Sequence, residues 1–313
     1  MAFRPLFIPV LLKYFVLACL LLSPFSLADE NPQACPDKTL DILLTNDDGF
    51  DKPGIRALLQ VFKQAGHHVV LAAPAKNASG GSASVTFAAI AVTETEPDVF
   101  AINGSPATTV LLSISALFPN KPPDLVISGI NNGANLGPAT PLSGTVGATI
   151  AAILIAEPAI PAIAISTEPF VIEGKSDAEN KQTDLKHLNR VAEFILALVG
   201  KLQAQHCDDS ALLAPRVALN VNYPAIAQEH IKGVQLQSQG KAPLFSLFYA
   251  PSENDPNIYV PHFEFLPPTY ESNDGDTGAF HDGYITIVPI DADYTASQKV
   301  TVEIMAELQG LKP

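Results

Sequence analysis

Two adjacent carboxylates, Asp47 and Asp48, end the apolar run 42–44 and are followed by Gly49. Neighbouring acids repel each other, and a hard divalent cation held by oxygen ligands offsets that repulsion. An apolar run of this kind is typical of a strand covered on both faces in a parallel sheet, and such sheets bind ligands beyond the carboxyl ends of their strands. The stretch therefore predicts a metal site at a sheet edge. The alternative interpretation is a solvated turn that caps a helix.

A second polar loop, residues 77–84, follows a predicted strand over 67–72 and contains only small side chains, including Ser79 and Gly80. Its hydroxyls and free backbone N–H groups suit a metal or phosphate oxygens, whereas the alternative is a flexible serine-glycine linker. The position after the carboxyl end of a strand favours the ligand-binding interpretation.

A third predicted strand, residues 124–128, leads into a loop that contains Asn131 and Asn135. The chain then passes through Ser143, Gly144 and Thr145 into an apolar helix predicted over 146–156. The N-terminus of a helix presents unpaired N–H groups and a partial positive charge, which suit an anion. A serine cap on a core helix is the other interpretation, and both can hold at once.

These motifs occur in an order that resembles the SurE family of metal-dependent 5′/3′-nucleotidases and phosphatases. The resemblance rests on residues 46–49, 77–80, 128–137 and 143–146, and on two later stretches, 220–224 and 283–290. It extends over about residues 40–296. It implies that the divalent cation is held by Asp47, Asp48, Ser79 and Asn131, and that the phosphate is held by Asn135, Ser143, Gly144 and Thr145.

The implied reaction is metal-dependent hydrolysis of nucleoside 5′- or 3′-monophosphates or related esters, with Asp47 and Asp48 as the catalytic pair. Carboxylate, amide and hydroxyl oxygens suit magnesium or manganese, and also calcium, whereas zinc favours His and Cys ligands. The nucleophile is either an activated water or an Asp carboxylate.

Two rival classes are an exported binding protein for phosphorylated solutes and a nicotinamide-dependent oxidoreductase. The first would gain nothing from paired acids beside an anion. The second would need a Gly-x-Gly-x-x-Gly turn after the first strand, which residues 47–50 do not form.

Two stretches differ from many bacterial SurE proteins. Residues 138–142 lie where those proteins have acidic residues and a tyrosine, and residues 104–109 lack an acid and a cysteine common in them. The second stretch resembles the secreted acid phosphatases of the family. The chain is therefore expected to be an exported phosphatase of the acid-phosphatase type.

The alternation of strand and helix patterns predicts a doubly wound, mostly parallel, Rossmann-like α/β sheet. Further elements are a strand pair over 85–92 and 99–103, a helix over 105–118, an exposed loop over 173–184, a helix over 185–203 and a strand over 217–223. Residues 36–225 are predicted to form the core, and residues 226–313 a mixed extension with a strand hairpin and a terminal segment that returns to the core. The resemblance implies that this extension is exchanged between the subunits of a dimer or higher homo-oligomer.

The N-terminal residues 1–28 have the pattern of a secretory signal peptide. Arg4 and Lys13 precede an apolar stretch, and Ser26-Leu27-Ala28 forms a cleavage site. A retained membrane anchor and a lipid-modified Cys19 are weaker alternatives, since the apolar stretch is short for a span. The mature chain is therefore expected to be periplasmic or secreted, without a stable span.

Export leaves Cys35 and Cys207, which either pair in an oxidising compartment or never meet. The net charge of −14 argues against binding to nucleic-acid polymers or anionic membranes, because those surfaces attract clustered Lys and Arg. His67 and His68 lie at the entrance of a strand, opposite the expected ligand edge, so a surface pair is favoured over a metal site. His262 and His281 are predicted to have surface or packing roles.

Overall fold

A mostly parallel sheet lies at the centre of the protein, as the sequence predicts. The computed structural model describes residues 38–206, 210–243, 245–265 and 275–310. The signal-peptide prediction and the Cys35–Cys207 pairing lie outside these residues. The strands are β1 Asp41–Thr45, β2 His68–Pro74, β3 Val92–Glu96, β4 Val99–Ile102, β5 Leu125–Asn132, β6 Ala162–Thr167, β7 Ala218–Tyr223, β8 Val234–Leu236, β9 Phe245–Pro251, β10 Tyr259–Phe265 and β11 Ile285–Ile290.

The described part of the chain contains one nine-stranded sheet, in the order β3-β4-β2-β1-β5-β6-β7-β11-β8. The six strands from β4 to β7 in this order run parallel, whereas β3 and β11 pair antiparallel with β4 and β7. After β1 the chain builds outward through β2, and β5 then returns to the other side of β1. The order of the strands thus reverses at β1 and β5, which is where doubly wound sheets bind ligands.

Helices cover both faces of the sheet. The helices are α1 Pro53–Gln64, α2 Pro106–Ala116, α3 Gly144–Ile150, α4 Asp177–Gln205, α5 Gly275–His281 and α6 Gln298–Glu307, the last of which is exposed along its whole length. One core cluster packs α1 and α4 against the sheet through Phe62 and Ile195, and the other packs α2 and α3 through Val110 and Val146. Both clusters are fully apolar, so each face of the sheet is buried and the strands read as continuous hydrophobic runs.

The predicted strand over 85–92 is wrong. The strand that pairs with β4 is β3, and residues 85–91 are irregular. This segment is tied to the start of α2 instead: the Thr86 N–H donates to Thr108 Oγ1 at 2.7 Å, and the Ser105 N–H donates to Thr86 Oγ1 at 3.2 Å. Thr86 therefore ties this segment to α2, while the edge position goes to the exposed Thr and Glu residues of β3.

The exposed loop predicted over 173–184 is also partly wrong, because α4 begins at Asp177 rather than at residue 185. A capping box explains the earlier start. Ser176 Oγ accepts from the Glu179 N–H, and Glu179 Oε2 accepts from the Ser176 N–H at 2.9 Å. The first two turns of α4 are polar and solvated, so hydrophobic periodicity does not reveal them, although the Ser-x-x-Glu spacing does.

The predicted helix over 146–156 is divided in the structure. It consists of α3 followed by a π-helical turn, Ala151–Ile155, with the buried side of both packed against the sheet. The predicted helix over 105–118 matches α2 within a few residues.

The C-terminal part of the described chain contributes to two sheets. β11 inserts between β7 and β8 in the main sheet, whereas β9 and β10 form a separate antiparallel hairpin. None of the helices within the described ranges has both the length and the apolar character required to cross a bilayer.

Candidate active site

The turn after β1 is built by Asn46. Its Oδ1 accepts from the Gly49 N–H at 3.1 Å, and its Nδ2 donates to the Gly49 carbonyl at 2.9 Å. Gly49 has φ +127°, a conformation that other residues rarely adopt. This closed turn holds Asp47 and Asp48 at the carboxyl edge of the sheet, at the point where the strand order reverses.

Asp47 is buried, with 2% of its surface exposed, and it lies against the start of α3. The Thr145 hydroxyl donates to Asp47 Oδ1 at 2.6 Å. Gly144 allows this approach, because a Cβ atom there would lie 2.8 Å from Asp47 Oδ2. Burial raises the pKa of Asp47, and hydrogen bonds from the Thr145 hydroxyl and from backbone amides, including those of Gly144 and Thr145, offset part of the rise.

Asp48 is partly buried, and its Oδ2 accepts from the Asn132 N–H at 3.2 Å. Burial raises the pKa of Asp48 to about 6, and the charge of Asp47 adds to the rise, while the Asn132 amide and Lys52 oppose it. Within the described ranges, no Lys or Arg forms a salt bridge with Asp47 or Asp48. The negative charges of Asp47 and Asp48 are therefore not balanced by a salt bridge, whereas buried charges are normally paired or bound to a metal.

Ser79 lies in the loop after β2 and Asn131 lies near the end of β5, and both segments contact this pair. The Ala78 N–H, next to Ser79, donates to the Asp47 carbonyl at 2.7 Å, and the Ser79 N–H donates to Asn77 Oδ1 at 3.0 Å. Asn131 lies at the end of β5, where its Nδ2 donates to the Gly133 carbonyl at 2.7 Å. That bond orients the carboxamide and leaves Oδ1 as the acceptor available to a cation.

These donors suit a hard divalent cation. The site offers two carboxylates together with amide and hydroxyl oxygens, and magnesium, manganese and calcium prefer such oxygen ligands. Both carboxylates have raised pKa values, and neither has a salt-bridged base. In the described part of the chain, no three His, Cys, Asp or Glu side chains cluster in a metal-binding arrangement. A cation at this edge would therefore depend on the neutral oxygens as well as on the carboxylates.

The four residues predicted to bind phosphate lie in one continuous segment, residues 135–145, which ends with the first two residues of α3 and which we call the phosphate loop. Ser143 Oγ accepts from the Val146 N–H at 3.1 Å and caps α3. Gly144 and Thr145 face Asp47, so the positive end of the helix points toward that carboxylate. Asn135 is 8% exposed, and its Nδ2 donates to Ser166 Oγ at 2.8 Å.

The residues that hold Asn135 belong to β7, and no motif in the sequence gave them a role. The Asn135 N–H donates to Asn222 Oδ1 at 2.7 Å, and its carbonyl accepts from Asn220 Nδ2 at 2.9 Å and from Asn222 Nδ2 at 3.1 Å. Asn220 and Asn222 lie on one face of β7, which is otherwise apolar. Their i, i+2 spacing in a buried strand was the available signal, because buried polar side chains need partners.

Asp276 is a second residue that the sequence did not point to. It is completely buried, and its Oδ1 accepts from the Gly240 N–H at 2.7 Å and from the Gly137 N–H at 3.2 Å. Burial raises the pKa of Asp276, and these backbone amides oppose the rise. The bond to Gly137 joins residues 139 positions apart, so no local pattern predicts it.

A cavity of about 340 Å³ opens beside Asp48 and Asn131. Its wall includes the apolar side chains of Ile130, Pro169 and Leu188, and its polar groups include Lys52, Asn132, Glu168 and Asp184. The volume falls at the lower end of the range for small-molecule sites, which combine an apolar lining with a few polar groups. The cavity and the acidic pair therefore share one site.

His187 supports the wall of this cavity. The Thr167 hydroxyl donates to the Tyr223 carbonyl at 2.7 Å, so His187 Nε2, also 2.7 Å away, donates to Thr167 Oγ1. Burial lowers the pKa of His187 to about 4, so the ring is neutral and holds Thr167, which lines the cavity.

The other histidines lie elsewhere. His68 Nδ1 lies 2.8 Å from Asp41 Oδ1, at the amino end of the strands, which confirms its placement away from the ligand edge. His262 stacks on Phe248 in the hairpin. His281, at the end of α5, packs against Phe280 and interacts electrostatically with Glu168 at the cavity.

The fold and the site together define a doubly wound α/β protein with an acidic, oxygen-rich site at its switch point. The family model described as Survival protein SurE matches residues 42–244. The chain belongs to the SurE family, as the motifs predict.

Relatives of known name and structure agree. A protein named 5′-nucleotidase SurE 1 from Burkholderia lata is 33% identical over 262 residues, which cover 82% of this chain and 92% of that protein. One named 5′-nucleotidase SurE from Desulfovibrio desulfuricans is 31% identical over 278 residues, covering 87% and 100%. The crystal structure of the SurE protein from Aquifex aeolicus superimposes with a TM-score of 0.65 at 30% identity, covering 85% and 98%.

Proposed function

We propose that this protein is a divalent-metal-dependent phosphomonoesterase that hydrolyses nucleoside monophosphates and releases phosphate. One observation carries the proposal: two adjacent, largely buried carboxylates with raised pKa values lie at the switch point without a salt-bridged base. The relatives named 5′-nucleotidase SurE support the nucleotide as the substrate class.

In this proposal Asp47, Asp48, Ser79 and Asn131 hold the cation. A bound divalent cation supplies Lewis-acid stabilisation of the phosphoryl oxygens and lowers the pKa of an attacking water. Thr145 fixes the orientation of the Asp47 carboxylate, and the Asn132 amide fixes that of Asp48. The catalytic pair is thus held in place before the substrate arrives, which is how an enzyme avoids reorganisation during the reaction.

The phosphate loop supplies the groups that bind the transferred phosphoryl: Asn135, Ser143, Gly144 and Thr145. These residues are neutral, so they add no repulsion to the developing charge. The Ser143 hydroxyl hydrogen and the second Nδ2 hydrogen of Asn135 are the donors proposed to stabilise that charge, since the Gly144 and Thr145 donors already bond to Asp47. The alcohol part of the ester occupies the cavity beside Asp48. Ile130 and Leu188 offer an apolar surface to a nucleobase. Asn132 and Glu168 line the same cavity and form hydrogen bonds with the sugar hydroxyls in this proposal.

The finer assignments belong to the same proposal. Magnesium or manganese is the expected cation, and both 5′- and 3′-monophosphates are expected substrates, with activity of the acid-phosphatase type. The chain is exported after cleavage at residue 28, which mass spectrometry of the mature N-terminus will test. A mature chain that begins at Met1 would contradict export.

The oligomer proposed here is a dimer in which the β9–β10 hairpin contacts the partner subunit. The hairpin exposes several large apolar side chains, and contiguous apolar surface of this kind marks protein contacts. Among them are Leu247 at 44%, Tyr249 at 62% and Phe263 at 58% exposure, which lie on one face of the hairpin. Light scattering of the mature chain measures the mass, and a monomer at micromolar concentration would contradict the dimer.

A phosphate-release panel tests the proposed function. The chelator-treated protein is incubated with 5′- and 3′-nucleotides, polyphosphate and p-nitrophenyl phosphate, with each divalent metal, from acid to neutral pH. Metal-restored release from nucleotides is expected. Phosphate binding without release from any ester would favour the rival class, an exported binding protein.

A further inference from the structure

The phosphate loop is hydrogen-bonded to β7 and to two segments of the C-terminal part of the chain, which contain Gln239 and Asp276. Asp276, at the start of α5, accepts hydrogen bonds from the Gly137 N–H at 3.2 Å and the Gly240 N–H at 2.7 Å. Gln239 Nε2 donates to the Gly137 carbonyl at 2.7 Å. Both backbone polar groups of Gly137 are thus bonded to residues about a hundred or more positions away.

The position of Gly137 in the phosphate loop explains why these bonds affect the residues on both sides of it. Gly137 begins the 3₁₀ turn Gly137–Leu142, which separates Asn135 from Ser143. The turn is short, so a displacement of its first residue moves both neighbours. At its far end the turn is also tied down, since the Ser82 N–H donates to the Leu142 carbonyl at 3.2 Å.

We propose that Asp276 is a positioning residue for the phosphate loop, whose carboxylate anchors Gly137 and thereby sets where Asn135 and Ser143–Thr145 lie. The inference rests on the proposed function, since it assigns the loop a phosphate to bind. Gly240 and Asp276 lie on either side of the β9–β10 hairpin in the sequence. The inference therefore also gives the segment that carries this hairpin a role at the site.

The chemistry at Asp276 distinguishes two substitutions. In Asp276→Ala, the buried N–H groups of Gly137 and Gly240 lose their acceptor, and an unsatisfied buried donor is costly. In Asp276→Asn, the carboxamide oxygen replaces Oδ1, which is the atom that accepts from Gly240 at 2.7 Å and from Gly137 at 3.2 Å. The alanine variant therefore releases the loop. The asparagine variant retains the two bonds to Oδ1 and loses only the longer one, in which Oδ2 accepts from the Gly137 N–H at 3.4 Å.

The experiment compares KM and kcat for a nucleoside monophosphate, and the inhibition constant for inorganic phosphate. Asp276→Ala is expected to raise KM and the inhibition constant roughly tenfold, with a smaller change in kcat, as the loss of a charge-assisted hydrogen bond predicts. Asp276→Asn is expected to restore most of the difference. Gln239→Ala removes only the bond to the Gly137 carbonyl and should raise KM by about threefold, so the anchor stays testable if Asp276→Ala does not fold.

Asp124→Ala is the matched control. Asp124 Oδ2 also accepts a backbone N–H, that of Asp41 at 2.9 Å, but at the amino edge of the sheet. It should lower the melting temperature without raising KM. If Asp276→Ala and Gln239→Ala lower only the melting temperature, as Asp124→Ala does, the positioning role is wrong.

Hydrogen exchange separates this inference from the proposed function. Amides of residues 135–145 should exchange faster in Asp276→Ala than in the wild type, while those of β1 should not change. This readout needs no turnover, so a wild type that releases no phosphate would overturn the function and leave the anchor to be judged by exchange. Unchanged exchange in the loop would overturn the anchor.

Discussion

The turn after β1 and the phosphate loop meet at Asp47 but differ in charge and in how their polar groups are bonded. The turn brings two carboxylates into a partly buried setting that raises the pKa values of both. The loop carries no charged side chain between residues 135 and 145, and its polar groups bond to β7, Asp276 and Ser166. The turn therefore needs a cation to offset its negative charges, whereas the phosphate loop is already held in place by hydrogen bonds.

This difference separates two kinds of defect. A change in the turn should alter the charge that the cation needs, and a change in the loop should alter how well the phosphate is placed. The first should appear in turnover and metal requirement, and the second in KM. The following substitutions test that division, from the largest expected effect to the smallest.

Asp47→Asn and Asp48→Asn should each lower turnover by at least roughly 100-fold, because each removes a negative charge that a catalytic cation requires. Phosphate release at saturating metal measures the effect. Asp51→Asn is the matched control, since that acid follows the same turn but its side chain is 62% exposed. Near wild-type hydrolysis in both variants would mean that the turn is only a solvated cap.

Asn131→Ala should raise the metal concentration for half-maximal activity by at least about tenfold, the cost of losing even an outer-shell metal partner. Turnover should recover at saturating metal, because both carboxylates remain. Metal titration of activity, supported by calorimetry with manganese, measures the change. Asn132→Ala is the control for the metal requirement, because it keeps the backbone N–H that donates to Asp48 and changes a side chain assigned to the ester. Equal effects of the two variants would contradict a ligand role for Asn131.

Thr145→Val bears on both regions, since the Thr145 hydroxyl donates to Asp47 Oδ1 at 2.6 Å. That bond lowers the pKa of Asp47, so its loss raises the pKa further and favours the protonated acid. The metal requirement should rise about threefold, and more at pH 5.5 than at pH 8, in line with the loss of one hydrogen bond. Thr149→Val, one turn along α3, removes a buried hydroxyl that donates only to the Val146 carbonyl, and should have no such effect.

The stability of the metal-free protein should depend on the acidic pair. The pKa of Asp48 is raised from 3.8 to about 6, so between these values the folded state binds more protons than the unfolded state. The contribution of Asp48 to stability therefore falls as pH rises from about 4 to about 6. In the presence of chelator, Asp48→Asn should melt roughly 2 to 4 °C above the wild type at pH 7, and the gap should close at pH 4.

Thermal melting at the two pH values measures this effect. Added metal should reverse the order at pH 7, because only the wild type then gains the bound cation. A wild type that is already as stable as Asp48→Asn in chelator at pH 7 would show that the buried charge of Asp48 is not as unfavourable as its raised pKa implies.

Local sequence patterns were sufficient for the half of the site that follows β1. A buried apolar run, an Asx turn and a Pro-Gly helix start all lie within a few residues of Asp47. The same reasoning failed at β3 and at the start of α4, where exposed polar residues form regular structure without a hydrophobic period.

The anchors of the phosphate loop could not be found in this way. Asn222 lies 87 positions from Asn135, and Asp276 lies 139 positions from Gly137. Which distant polar residue meets which loop depends on the order of the strands in the sheet, and periodicity along one segment carries no information about that order. The resemblance to the SurE family marked the stretch around Asn220 without assigning it a role.

The insertion of β11 between β7 and β8 has a consequence for biosynthesis. β8 is made before β11 but lies outside it, so β8 has no strand to join until residues 285–290 have left the ribosome. Asp276 arrives only shortly earlier. Chains grow from the N-terminus, so Asp47 and Asp48 are made long before the residue that anchors the phosphate loop. The bonds from Gly137 and Gly240 to Asp276 can therefore form only when synthesis is nearly complete.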